Sequence, residues 1–164
     1  MTSITEDMRQ LIEQVGLSFV ATVCPDGTPN LSPKATLSVL DDEHLVFANI
    51  RSPQTVRNLD TNPNVEVNVV DVFRRRGYRF KGTAEVLDSG PLFEEITGEL
   101  RERLGPRYPL KQIVKIKVER AAALLSPAYI YDDPRPTEEE LKASFLRRYG
   151  VRELEPAETA SVDN

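Results

Sequence analysis

The residues best equipped for chemistry lie in one run, Arg51-Ser52-Pro53-Gln54-Thr55-Val56-Arg57. Serine followed by proline signals a helix start: serine caps first-turn N–H groups, and proline fits the first helical position, where no donor is needed. A helix start presents unpaired N–H groups and the positive end of a dipole, so it suits an anion. Ser52 and Thr55 add hydroxyls, Gln54 adds an amide, and Arg51 and Arg57 add guanidinium groups. That donor set fits a phosphate monoester, which arginine can grip with two parallel hydrogen bonds. A plain surface cap with solvated arginines fits the same heptapeptide, so the run alone does not decide.

A second candidate precedes it. Pro33 cannot donate to a sheet ladder, so the strand carrying it is an edge or a bulge, and polar groups beside it become available to a ligand. Lys34 follows at once. It is either a cation facing that ligand or an outward lysine on an edge strand. Arg74-Arg75-Arg76 is either a solvated basic turn or an element that steers an anionic substrate. Tyr129 and Tyr131 read as strand aromatics covering a sheet, with stacking near a ligand as the other reading.

Other chemistry is excluded. Cys24 is the only cysteine, which rules out an internal disulfide and a cysteine-cluster metal site. His44 is the only histidine, sits in an acidic turn where it reads as exposed, and leaves no multi-histidine zinc site. A net charge of −5 argues against general nucleic-acid binding. No apolar run nears the roughly 18 residues that span a bilayer, and the start has no basic or apolar leader pattern. The expectation is a cytoplasmic protein with neither nucleic-acid nor membrane partners.

The elements that must position these residues follow from periodicity. Thr5 caps a first helix whose Met8, Leu11, Ile12 and Val15 form one stripe ended by Gly16. Strands are expected at 17–23, 30–40 and 45–48, then a short helix from Pro53, then strands at 65–69, 78–87 and from 113 toward 125. A helix over 91–104 closes at Gly105-Pro106, and Thr137 with Glu140 forms a capping box for a last helix. Six strands with short helices outside suggest a mainly β, antiparallel barrel of Greek-key type. Residues 1–150 read as one domain, and 151–164 as an acidic tail without fixed structure.

From Phe19 to Glu85 the chain resembles the flavin-binding split-barrel family that includes pyridoxamine 5'-phosphate oxidase and small FMN-binding proteins. The likeness rests on Phe19-Val20-Ala21-Thr22-Val23, Asp26-Gly27-Thr28-Pro29 and Val46-Phe47-Ala48-Asn49. Asn58-Leu59, Asn62-Pro63-Asn64-Val65 and Gly82-Thr83-Ala84-Glu85-Val86 follow in the family's order and spacing. The resemblance implies a six-stranded split barrel and a homodimer with FMN in clefts at the subunit interface. It implies that Ser32, Pro33, Lys34, Ala35 and Thr36 lie along the flavin ring, and that Ala48 and Asn49 lie near the ribityl chain. Ser52, Gln54 and Thr55 then hold the phosphate. Gln54 and Thr55 are neutral where the family often has a basic residue, which passes the cationic role to Arg51 or Arg57.

The activity implied is an FMN-dependent oxidoreductase acting on a small molecule, with no acid–base pair demanded of the protein. A non-catalytic FMN-binding electron carrier uses the same residues. A deazaflavin or haem ligand, or pyridoxamine 5'-phosphate oxidation itself, fits less well. The chain is acidic, His44 is its only histidine, and beyond Val118 there is neither tryptophan nor histidine. A cation such as Lys34 near the flavin's pyrimidine edge would stabilise the reduced form.

Overall fold

Thr5 caps the first helix, α1 (Glu6–Val15), by accepting a hydrogen bond from Met8 N–H at 3.4 Å; Gly16, left-handed at φ 60°, ends it. The computed structural model describes residues 3–153, so the tail expected at 151–164 lies outside the described residues from 154 onward. Strands β1 (Ser18–Val23), β2 (Pro29–Lys34), β3 (Ser38–Val39) and β4 (His44–Asn49) follow. Next come α2 (Pro53–Thr61), β5 (Asn64–Asp71), β6 (Arg76–Leu87), α3 (Pro91–Leu104) and β7 (Gln112–Leu125), then α4 (Ala128–Tyr131) and α5 (Glu138–Tyr149).

Seven strands form one curled sheet in the order β2-β1-β5-β6-β7-β4-β3, mainly β with short helices, as in a split barrel. The count exceeds the expected six because the segment expected as one strand over 30–40 breaks at Ala35 into β2 and β3. Pro29 and Pro33 sit on β2, an edge of the sheet, where a missing donor costs nothing.

The described chain divides into two compact units. Of the described residues, the first comprises 3–70 and 77–124. Its core gathers Val20, Leu45, Phe47, Val67, Phe80, Val114 and Ile116 with Leu11 and Ile12 of α1. A second cluster joins Val46, Ala48 and Ile113 to Ile96 and Leu100 of α3. Strand β4 is therefore buried on both faces, which is why His-Leu-Val-Phe-Ala-Asn reads as an almost unbroken apolar run.

Of the described residues, the second unit comprises 71–76 and 125–153. Arg74 pairs with Asp71 (3.1 Å) and Glu139 (3.2 Å), and Arg76 with Glu138 (2.9 Å). The Arg75 guanidinium lies 4.8 Å from the Phe145 ring centroid, and Phe73 meets Tyr149 edge-on at 6.0 Å. The basic turn is thus occupied with the first turn of α5, whose Thr137–Glu140 capping box is present. Tyr129 and Tyr131 belong to α4 rather than to a strand, and the Tyr129 hydroxyl donates to the Arg74 carbonyl. None of this unit's described residues is fully buried.

Close strand approach depends on Gly82, where an added Cβ would lie 1.9 Å from the Lys117 carbonyl oxygen on β7. Gly82→Ala is expected to destabilise the protein by about 3 kcal/mol, since backbone must shift. Gly98→Ala, in α3 with open space around it, should instead stabilise by about 0.5–1 kcal/mol. Urea melts of the two variants check this contrast.

Candidate functional site

The sheet's split creates the site. At the end of β2 the Ser18 hydroxyl donates to the Lys34 carbonyl at 3.1 Å, holding the backbone where the strand stops. The β3–β4 register pairs Ser38 with Val46 and Val39 with Leu45, which puts Thr36 opposite Ala48. There the Thr36 side chain takes over the pairing. Its hydroxyl accepts from Ala48 N–H at 3.0 Å and donates to Ala48 C=O at 3.4 Å. Both backbone groups of a buried residue are thereby satisfied without a continuing ladder.

A cleft of about 260 Å³ opens at this break. Ser32, Pro33, Lys34, Ala35 and Thr36 form one wall; Ala48, Ile50, Arg51 and Ser52 form the other. At the end of β4, the Asn49 side chain shapes the entry to α2. Its Oδ1 accepts from Ser52 N–H and from the Ser52 hydroxyl, both at 3.0 Å, while its Nδ2 donates to Gln112 at 3.0 Å. Ser52 stands at the N-cap of α2, yet its side chain makes no capping bond. The start of α2 therefore keeps donors for a ligand.

The remaining candidates are not in the cleft wall. Thr55 is buried and accepts from Asn30 Nδ2 at 3.4 Å. Arg57 donates to Gln54 Oε1 at 2.7 Å, and Gln54 donates to Asn58 Oδ1 at 2.7 Å. Asn58, wholly buried, donates to Thr22 at 3.0 Å. This chain of side chains fastens α2 to β1. Asn49 likewise braces the cleft without lining it. Two residues of the site went unread in the sequence: Ile50, an apolar residue between polar ones, and Phe47, whose ring centroid lies 5.4 Å from the Lys34 ammonium.

Lys34 is the unusual group. Only 5% of it is exposed, so it is not an outward edge lysine. Its ammonium donates to the Ser32 hydroxyl and to the Pro33 carbonyl, the latter at 3.2 Å. Among the described residues no carboxylate pairs with Lys34 or Arg51. Burial pushes the Lys34 ammonium down from its ordinary 10.5 to about 8. His44, by contrast, is engaged at a distance from this wall: its Nδ1 meets Asp41 at 2.8 Å and its side chain is 19% exposed, more covered than its acidic turn suggested.

A larger hollow of about 440 Å³ lies among Ala21, Val23, Pro29, Glu66 and Lys81. There Glu66 is already matched by Arg79 at 2.8 Å and Lys81 at 3.1 Å. The smaller cleft is the one that holds two cations without a counter-charge, and it is the better site for an anion.

Residues 4–130 match the family model for pyridoxamine 5'-phosphate oxidase. The chain belongs to the pyridoxamine 5'-phosphate oxidase family. Among family-like structures, the HupZ protein of Group A Streptococcus is 35% identical, with a TM-score of 0.68 over 75% of this chain and 95% of that one. An FMN-binding protein from Syntrophomonas wolfei shares the fold at 20% identity, with a TM-score of 0.64 over 72% of this chain and 84% of that one. An uncharacterized protein of Methanocaldococcus jannaschii is 30% identical over 120 residues, 72% of this chain and 78% of its own length.

In this family member, charged Lys34 is a cost that folding bears. Between pH 8 and 10.5 the unfolded chain binds more protons at this lysine than the folded one, so its penalty is full below pH 8 and fades as pH rises. Lys34→Met is therefore expected to stabilise the unliganded protein at pH 7 by about 1 kcal/mol, or roughly 2–4 °C in Tm. The gain should shrink between pH 8 and 10.5, as thermal melts across that range will show.

Proposed function

We propose that this protein binds FMN in the cleft between Lys34 and Ser52 and acts as an oxidoreductase on a small molecule, as a cytoplasmic homodimer. The observation that carries the reading is a cleft with two unmatched cations, Lys34 and Arg51, at the start of a helix whose N-cap side chain is turned away. A phosphate monoester suits Arg51, Ser52 and the first turn of α2. The wall from Ser32 to Thr36 offers backbone groups and an apolar Pro33 and Ala35 to a planar ring, and Ala48 adjoins the linker between the two ends.

FMN supplies hydride or electron transfer when bound. The protein's residues bind, orient and exclude water. Burial brings the Lys34 ammonium to about 8, and among the described residues no carboxylate or histidine lines the cleft to act as acid or base.

The cleft's size supports the dimer. At about 260 Å³ it falls below the roughly 300–1,000 Å³ usual for ligands of this kind, so a further wall is called for. Pro33 lines the cleft and pairs with Phe19, while Leu31 pairs with Ala21 on the same sheet face. Phe19 is 43% and Leu31 65% exposed, an apolar patch of the kind that marks an interface. A second copy seated there adjoins the cleft through Pro33. Among the described residues no helix is long and apolar enough to cross a membrane.

Titrating the purified protein with FMN should give flavin bands perturbed from those of free FMN. Arg51→Ala with Ser52→Ala should weaken binding by about 10–100-fold, the value of one or two charge-assisted hydrogen bonds. A Soret peak, a deazaflavin band, or no binding at millimolar FMN contradicts the proposal. Leu31→Asp should convert the dimer to monomer in light scattering and weaken FMN binding with it. Turnover of NADH or NADPH with a panel of acceptors separates an enzyme from a carrier.

A further inference from the structure

We propose that Lys34 makes this cleft hold the reduced form of its flavin, with negative charge on the ring, more tightly than the oxidised form, and that it takes up a proton in doing so. The inference rests on the flavin reading above and adds a redox preference and a pH response to it.

The geometry is that of a cation set in place before its partner arrives. The ammonium has three N–H donors. The Ser32 hydroxyl and the Pro33 carbonyl use two of them, which leaves one for a ligand. The Phe47 ring at 5.4 Å supports the charge from β4, and the Ser18 hydroxyl of β1 pins the Lys34 carbonyl. The charged groups facing the cleft are Lys34 itself and Arg51; the polar groups from β2, the β2–β3 break and the start of α2 are the neutral hydroxyls of Ser32, Thr36 and Ser52. No acidic group among the described residues neutralises the lysine before the ligand does.

A phosphate bound at Arg51 and Ser52 is present in both redox forms of FMN and cannot discriminate between them. The ring can. Reduction leaves negative charge near the pyrimidine edge, and a nearby ammonium in a partly desolvated site favours that charge far more than water does. With the lysine poised near pH 8 when the cleft is free, an anion beside it raises its proton affinity, so binding draws a proton from solvent. Ser32 is a positioning residue here, because it fixes the ammonium rather than touching the ligand's reacting atoms.

The test compares dissociation constants of oxidised FMN and of FMN reduced anaerobically with dithionite, for the wild type, Lys34→Met and Lys34→Arg. Calorimetry at pH 8 in buffers of different ionisation enthalpy counts protons taken up by the wild type. The wild type is expected to bind the reduced form at least about tenfold more tightly, equivalent to a rise of about 30 mV in the potential of the two-electron couple. It should take up a fraction of a proton per FMN. Lys34→Met should lose the tenfold preference, its affinity for reduced FMN falling about tenfold further than its affinity for oxidised FMN. Lys34→Arg, always charged, should keep the preference but lose the decline that the wild type shows between about pH 7 and 10.

Binding of both forms with a ratio that Lys34→Met leaves unchanged, or wild-type binding of reduced FMN without proton uptake, overturns this inference and leaves the flavin reading standing. If neither form binds the wild type, the flavin reading falls and this inference falls with it.

Discussion

An interrupted ladder governs this molecule. Past Lys34 the second strand stops pairing, and a threonine side chain, not a backbone, satisfies the Ala48 amide and carbonyl. Without that substitution Ala48 would carry unpaired polar groups in a buried setting, at a cost comparable to lost hydrogen bonds. With it, the sheet can stay open along one seam while its interior stays packed. The cleft is that seam. Its second wall follows from the first, because Ala48 leads straight through Asn49 to Arg51, Ser52 and the start of α2.

Charge then gives the seam its character. The chain as a whole is acidic, with a net charge of −5, and several cations of the fold are matched. Glu66 holds Arg79 and Lys81, and Asp71, Glu138 and Glu139 hold Arg74 and Arg76. Among the described residues Lys34 and Arg51 have no such partner, and Lys34 is buried as well. Leaving a buried ammonium without a carboxylate lowers stability, and such a cost is common where a ligand supplies the missing charge. Both cations line one cleft, which suits a ligand that carries a phosphate and a polar ring.

Much of this was legible in the sequence, for reasons that can be named. Pro91 and Gly105 bracket α3, Thr5 and Gly16 bracket α1, and Thr137 with Glu140 starts α5, because cap and breaker residues act locally. Pro33 placed β2 at an edge by the donor it lacks. The break at Ala35 was not legible: Ala-Thr-Leu-Ser-Val contains no breaker, and the interruption is set by tertiary pairing with β4. Tyr129 and Tyr131 alternate like strand residues, yet Ser126-Pro127 turns the chain into α4. Within α2, residue type suggested donors at Gln54, Thr55 and Arg57, but helical phase sends them elsewhere: Gln54 and Arg57, three apart, bond to each other, and Thr55 faces Asn30. The burial of Lys34 was hidden for the opposite reason, since lysine on an edge strand ordinarily points to water.

The most direct test is a crystal structure of the protein soaked with FMN. The account predicts density at the seam, with the phosphate within hydrogen-bonding distance of Arg51 and Ser52 and the ring lying along residues 32–36 beside the Lys34 ammonium. FMN seated in the larger hollow by Glu66 and Lys81, or a phosphate far from the start of α2, would contradict it.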